Sequence, residues 1–229
     1  MIPWDDGRVL RFFPDWYSES DAVRELERID QLWRSGAPLP VAFGIDVAAG
    51  RLGVIEENTP GPTMLDELSS HPWRARPLGI ELAELQLRVH SLVSVELPAG
   101  PGGGEQVGHG RLSPACVILS PQGPVVIGWG HATACDPAYD IAATLLELAL
   151  IKPPPDAKLN PVPYVFHRRF VQAYRRRIAQ AIPLLVVGPW LDLAAEARRV
   201  DVSTPESGRS VDDAVIDILR SERAFVSWR

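Results

Sequence analysis

A chain of 229 residues, 46% hydrophobic and 23% charged, has the make-up of a globular protein that can bury a sizeable core, as one domain or as two parts sharing a cleft. Its formal net charge of −6 gives no support to nonspecific binding of nucleic acid or anionic membrane, and solubility alone explains it. No run approaches the ~20 apolar residues of a membrane span, and the start Met-Ile-Pro-Trp-Asp-Asp lacks the basic and apolar regions of a signal peptide, so a cytoplasmic protein without a membrane partner is expected.

Residues 7–13 read as a short strand ended by Pro14. Only about seven residues precede it, too few for a two-stranded hairpin. A helix follows over 18–34, with Ala22, Leu26, Ile29 and Trp33 at three- and four-residue steps and Gly36 just beyond. Strands are predicted at 41–46 and 51–56 around a turn at Ala48-Ala49-Gly50. Asn58-Thr-Pro-Gly-Pro then interrupts both periodicities.

A short helix is expected over 63–69 and a longer one over 78–92, where Leu82, Leu85, Val89 and Leu92 form a buried stripe. His90 on that stripe reads as a satisfied core or rim histidine. The glycine-rich loop 99–106 has no Gly-x-x-x-x-Gly-Lys pattern and is not a phosphate loop. After it come a polar loop, strands at 116–119 and 125–129 around a turn, and a helix entered at Asp136-Pro137, a residue pair suited to the N-cap and first helical position.

Proline clusters bound a loop at 153–161, and a helix over 163–181 follows. Its predicted inner face is Val165, Phe166, Phe170, Ala173, Tyr174 and Ile178. Arg168, Arg169, Arg175, Arg176 and Arg177 face largely outward, as a solvated face or a site for acidic partners. Helices at 189–200 and 210–225 close the chain. Cys116 and Cys135 are the only cysteines, too few for a disulfide scaffold and without metal-ligand spacing, and both read as free thiols. Lysine occurs only at Lys152 and Lys158.

Residues 107–142 carry the strongest pattern: His109, Gly110, Leu112, Pro114, Ile127, Trp129, Asp136, Pro137, Tyr139, Asp140 and Ala142, in that order. The run resembles the catalytic segment of the aminoglycoside and choline kinase-like phosphotransferases, whose pattern is His-Gly-Asp-Leu-His-Pro-Gly-Asn, a strand, a turn, Ile-Asp-Trp or Ile-Asp-Phe, then Gly-Asp-Pro-x-Tyr-Asp-Leu-Ala. Glu57, Gly61, Thr63 and Leu65 resemble that family's hinge, and Val89-His90-Ser-Leu92 its Leu-His-x-Leu helix end. The resemblance implies an α+β, two-lobed protein kinase-like fold. Residues 1–57 would be a truncated small β lobe of about three antiparallel strands and one helix, and residues 58–229 a mainly helical large lobe.

The departures bear on chemistry. Where the family has the Asp that orients the acceptor hydroxyl, the metal-binding Asn and the metal-binding Asp, this chain aligns Arg111, Cys116 and Gly128. A guanidinium offers only donors, a thiol is a soft ligand where magnesium takes oxygen, and glycine offers nothing. The family's phosphate lysine and its paired glutamate align with Arg11 and Glu25, either an ion pair or two solvated faces. No lysine is available before residue 152.

The resemblance therefore implies a pseudokinase with no metal site, to which ATP and magnesium bind poorly, acting on an unknown protein or small-molecule partner near the old cleft. His109 and Asp140 would brace the loop and Asp136 would start a helix. Asp140→Ala is expected to cost about 1–3 kcal/mol. Arg111 is expected to pair with Glu105 or Asp136, or to await an anionic ligand. The alternative is a small-molecule phosphotransferase or other enzyme with rearranged chemistry, in which Glu105, Asp136, His131 or Cys116 is recruited.

Overall fold

The computed structural model describes residues 1–201 apart from Asp6, Pro14, Trp16, 93–95 and 152–161. The predicted loop at 153–161 and helix at 210–225 lie outside the described residues. The chain is α+β, a small antiparallel sheet followed by several helices.

Four strands form the sheet: β1 (Ile2–Asp5), β2 (Arg8–Phe12), β3 (Ala42–Ala48) and β4 (Arg51–Glu57), in the order β1-β2-β4-β3. The sheet thus has one strand more than expected, because Ile2-Pro-Trp-Asp folds back on β2 through a turn at Gly7 (φ 81°). Between β3 and β4, Ala49 (φ 51°) and Gly50 (φ 75°) are both left-handed, the geometry of a two-residue hairpin turn that matches strand twist.

Helix α1 (Glu19–Arg34) starts with a capping box: the Ser18 hydroxyl accepts from Asp21 N–H, and the Asp21 carboxylate accepts from Ser18 N–H. Its buried face is Ala22, Glu25, Ile29 and Leu32, not the predicted Ala22, Leu26, Ile29 and Trp33. Glu25 is drawn inward by Arg11 and Tyr17, the helix turns with it, and Trp33 is left 52% exposed.

A second capping box, Thr63 with Asp66, starts α2 (Met64–Ser70). Next is α3 (Ala75–His90), whose inner face holds Leu82, Leu85 and Val89 and also Gln86. It lies close against α5 (Val162–Ala179), where a Cβ on Gly79 would come within 2.3 Å of the Phe170 carbonyl oxygen. On α5, Phe170, Ala173, Tyr174 and Ile178 are buried. Val165 is exposed, and Arg175, predicted outward, is buried.

Short strands β5 (Val107–Gly108) and β8 (Thr133–Ala134) pair across the base of a hairpin made by β6 (Val117–Ser120) and β7 (Gly123–Val126). The second arm stops at Val126, earlier than predicted, and Trp129–His131 forms a 3₁₀ turn. Helix α4 (Pro137–Leu150) is capped by Asp136, whose carboxylate accepts from Ala138 N–H at 2.7 Å. Helix α6 (Leu191–Asp201) packs on α4.

Backbone hydrogen bonds join the segments flanking β3 and β4 to the hairpin: Val126 N–H donates to Pro38 O at 2.6 Å, and Leu119 N–H to Pro62 O at 2.9 Å. Thr63 bridges Ile118, and a Cβ on Gly61 would meet Leu119 O at 2.3 Å. Among the described residues no single helix is long and apolar enough to cross a membrane.

Candidate functional site

The loop after β5 is tied down from both sides. His109 is fully buried; its Nε2 donates to the Ile127 carbonyl at 3.1 Å and its Nδ1 accepts from Arg111 N–H at 3.2 Å. That division of roles is the neutral tautomer, and burial lowers the pKa in the same direction. The ring also packs on Trp129, 4.8 Å between centroids.

Asp140, fully buried on α4, accepts from Gly110 N–H at 2.6 Å, from Gln86 Nε2 at 2.8 Å and from His90 Nε2 at 2.8 Å. Burial alone would raise its pKa. The bonds and charge of His90, with those of Gln86 and Gly110, outweigh that and bring it down to about 2. Gln86 also donates to Thr144 Oγ1 and accepts from the Tyr174 hydroxyl, so α3, α4, α5 and the loop meet at one buried polar network.

Of the three departures from the phosphotransferase pattern, Cys116 lies against the other two, the Arg111 main chain and the position of Gly128. Cys116 is held in the loop, its Sγ 3.4 Å from Ser113 Oγ and 3.5 Å from the Arg111 carbonyl oxygen, and burial raises its pKa. Gly128 is left-handed (φ 82°), and a Cβ built on it would meet only Cys116 Sγ, at 3.9 Å. No group of three or more His, Cys, Asp or Glu suited to a metal occurs among the described residues.

On the sheet side, Arg11 Nη2 lies 3.2 Å from Glu25 Oε1, and its Nε lies 3.1 Å from Glu56 Oε2. Burial opposes the Arg11 charge, and the two carboxylates more than restore it, so its pKa is raised. Tyr17 donates to the other Glu25 oxygen at 2.7 Å, and Arg28 donates to the Gly130 carbonyl. Between Arg11, Glu56, Leu39, Ile127, Gly128 and Trp129 the free space is about 10 Å³, no more than a water needs.

Behind the loop is a larger cavity of about 130 Å³, bordered by Arg111, His131, Thr133, Tyr139, Glu147 and Arg198 among others. Arg198, with a side chain 9% exposed, places Nε 2.8 Å from Glu147 Oε1. Burial and the adjacent Arg198 charge lower the Arg111 pKa, while Glu147 opposes them. Among the described residues, a carboxylate that bears on Arg111 is Glu147; Asp136 is committed to capping α4, and Glu105 is exposed. His131 is exposed as a residue, yet desolvation of its ring and the charges of Arg111, His109, Arg28 and Arg198 push its pKa down to about 4.

A small antiparallel sheet with an Arg11–Glu25 contact, a hairpin between two loops, and a helix entered at Asp-Pro make up a kinase-like fold. The aminoglycoside-3'-phosphotransferase of type VIII shares it, with a TM-score of 0.51 and 19% identity over 77% of this chain and 80% of that one. Aminoglycoside phosphotransferase APH(3'')-Id from Streptomyces rimosus is similar at a TM-score of 0.48 and 18% identity, covering 81% and 86% of the two chains. The bifunctional kinase-methyltransferase WbdD gives 0.38 and 15%, covering 75% and 41%. No protein-family model and no curated protein matches the sequence. At these identities the likeness is one of fold.

Several site residues escaped the sequence reading. Gln86 sits one turn before His90 on an otherwise apolar face, and a polar residue there signals a buried partner. Glu147 is seven residues after Asp140 and the only charge in the run 141–150, which marks it similarly. Nothing local distinguishes Arg198 from the other arginines, because its role is set by the packing of α6 on α4.

Proposed function

We propose that this chain is a noncatalytic, kinase-like protein, a pseudokinase that binds a protein or small-molecule partner in or near the former catalytic cleft. Residues 1–57 act as a reduced N-terminal lobe and residues 58–229 as the helical lobe. The observation that carries the reading is the joint replacement of the hydroxyl-orienting Asp and both metal ligands by Arg111, Cys116 and Gly128. Phosphoryl transfer is almost entirely positioning and charge neutralisation, and a guanidinium, a protonated thiol and a bare backbone provide neither.

Two further features support it. The space beside Arg11 and Gly128 is about 10 Å³, and Arg11 is already shared by Glu25 and Glu56. His109 and Asp140 hold the loop shape without touching a reacting group, and Asp136 holds the start of α4. The test is thermal denaturation with millimolar ATP and magnesium, since a bound ligand raises stability by RT ln(1 + [L]/Kd). The expected shift is below about 1 °C. A magnesium-dependent rise of several degrees overturns the reading.

A further inference from the structure

Among the described residues that border the cavity between α4 and α6, guanidinium groups outnumber carboxylates. Arg111 and Arg198 contribute two guanidinium groups and Glu147 one carboxylate, while His131, with its pKa near 4, is neutral at physiological pH. The two cations are close enough for Arg198 to lower the Arg111 pKa, behind only burial. Arg198 is 9% exposed and reaches Glu147 through Nε, but its Nη1 is buried with no hydrogen-bond partner among the described residues. A buried guanidinium nitrogen left without an acceptor is costly, and an incoming anion removes the cost.

We propose that this cavity binds a small oxyanion of phosphate size, as free phosphate or as the terminal phosphate of a small monoester. Two guanidinium groups present planar sets of donors that match phosphate oxygens, and Thr133 and Tyr139 line the same cavity. The volume of about 130 Å³ is well below the ~300 Å³ at which larger ligand pockets begin, which favours a small anion. Binding to the charged walls is separate from the narrow space beside Arg11. The inference rests on the noncatalytic reading only in taking Arg111 as a ligand-binding group.

Calorimetric titration of the full chain with inorganic phosphate, and separately with glycerol phosphate, at constant ionic strength tests it. The expected result is saturable one-to-one binding of inorganic phosphate. Arg111→Gln and Arg198→Gln should each weaken it about tenfold or more, whereas Arg88→Gln on the exposed side of α3 should leave it unchanged. Glu147→Gln, which removes the opposing charge, should tighten it about tenfold, and this variant keeps the test decisive if an arginine variant fails to fold. Equal affinity for glycerol phosphate assigns the site to monoesters; loss of binding with that probe assigns it to the free anion. No saturable binding of phosphate by the wild-type chain, or weaker binding by Glu147→Gln, overturns the proposal. Phosphate binding that persists in a chain found to turn over ATP would overturn the noncatalytic reading and leave the anion site standing.

Discussion

Asp140→Ala removes the acceptor on which the 109–111 loop, α3 and α4 converge. One oxygen takes Gly110 N–H at 2.6 Å and the other takes Gln86 and His90 at 2.8 Å each. Gln86 keeps a second acceptor in Thr144, so the substitution strands chiefly the Gly110 and His90 donors. At about 1–3 kcal/mol for each stranded donor, with some recovered as the loop relaxes, the loss should be about 3 kcal/mol. Asp140→Asn preserves the volume but turns an NH₂ toward one set of donors, and should cost about 2 kcal/mol. Urea midpoints at pH 7 read both values. The pH dependence supplies an independent check. The folded-state pKa of about 2 lies below the ordinary carboxylate value of ~3.9, so the contribution is fully present above about pH 4 and is lost as pH falls toward 2. The gap between wild type and Asp140→Asn should therefore narrow by about 2 kcal/mol across that window. Equal midpoints at pH 7, or a gap that stays constant down to pH 2, would refute the bracing role.

Arg11→Met should destabilise the chain by about 3 kcal/mol in urea denaturation, because it leaves Glu25 and Glu56, with side chains 7% and 9% exposed, facing one another without its charge. Adding Glu25→Gln and Glu56→Gln should recover most of that loss, and no recovery would mean that Arg11 acts through packing alone. The triple variant Arg111→Asp, Cys116→Asn, Gly128→Asp should fold, since Asp tolerates a left-handed backbone and a Cβ at 128 has room. Coupled assays with ATP, magnesium and an aminoglycoside or choline acceptor should still detect no phosphotransfer, because Arg11 aligns with the lysine and is already shared by Glu25 and Glu56. Turnover would show that the sheet side can hold a nucleotide after all.

What local chemistry specifies was legible in the sequence. Ser18 with Asp21, Thr63 with Asp66, and Asp136-Pro137 start the helices at or next to the predicted residues, because a cap is a contact between near neighbours. The turn at Ala49-Gly50 is equally local. What long-range contacts decide was not. The direction of α1 follows Glu25, whose inward pull comes from Arg11 fourteen residues earlier, against the hydrophobic stripe that the helix spells. Strand β1 was missed because Ile2-Pro-Trp-Asp is exposed throughout and gains its structure only by pairing with β2. In the site, Arg111, Cys116 and Gly128 were picked out by the resemblance, whereas the Glu147–Arg198 wall depends on how α6 packs.

The hydrogen bonds from Val126 to Pro38 and from Leu119 to Pro62, with the tight seat of Gly61 on Leu119, have a mechanical consequence. Enzymes that admit and release nucleotide breathe through a pliant joint, and their turnover often waits on that opening. Here parting Pro38 and Pro62 from the hairpin would rupture main-chain bonds that no rotamer change can replace. The molecule behaves at this seam as a weld: main-chain bonds hold stiff what a pliant joint would let move.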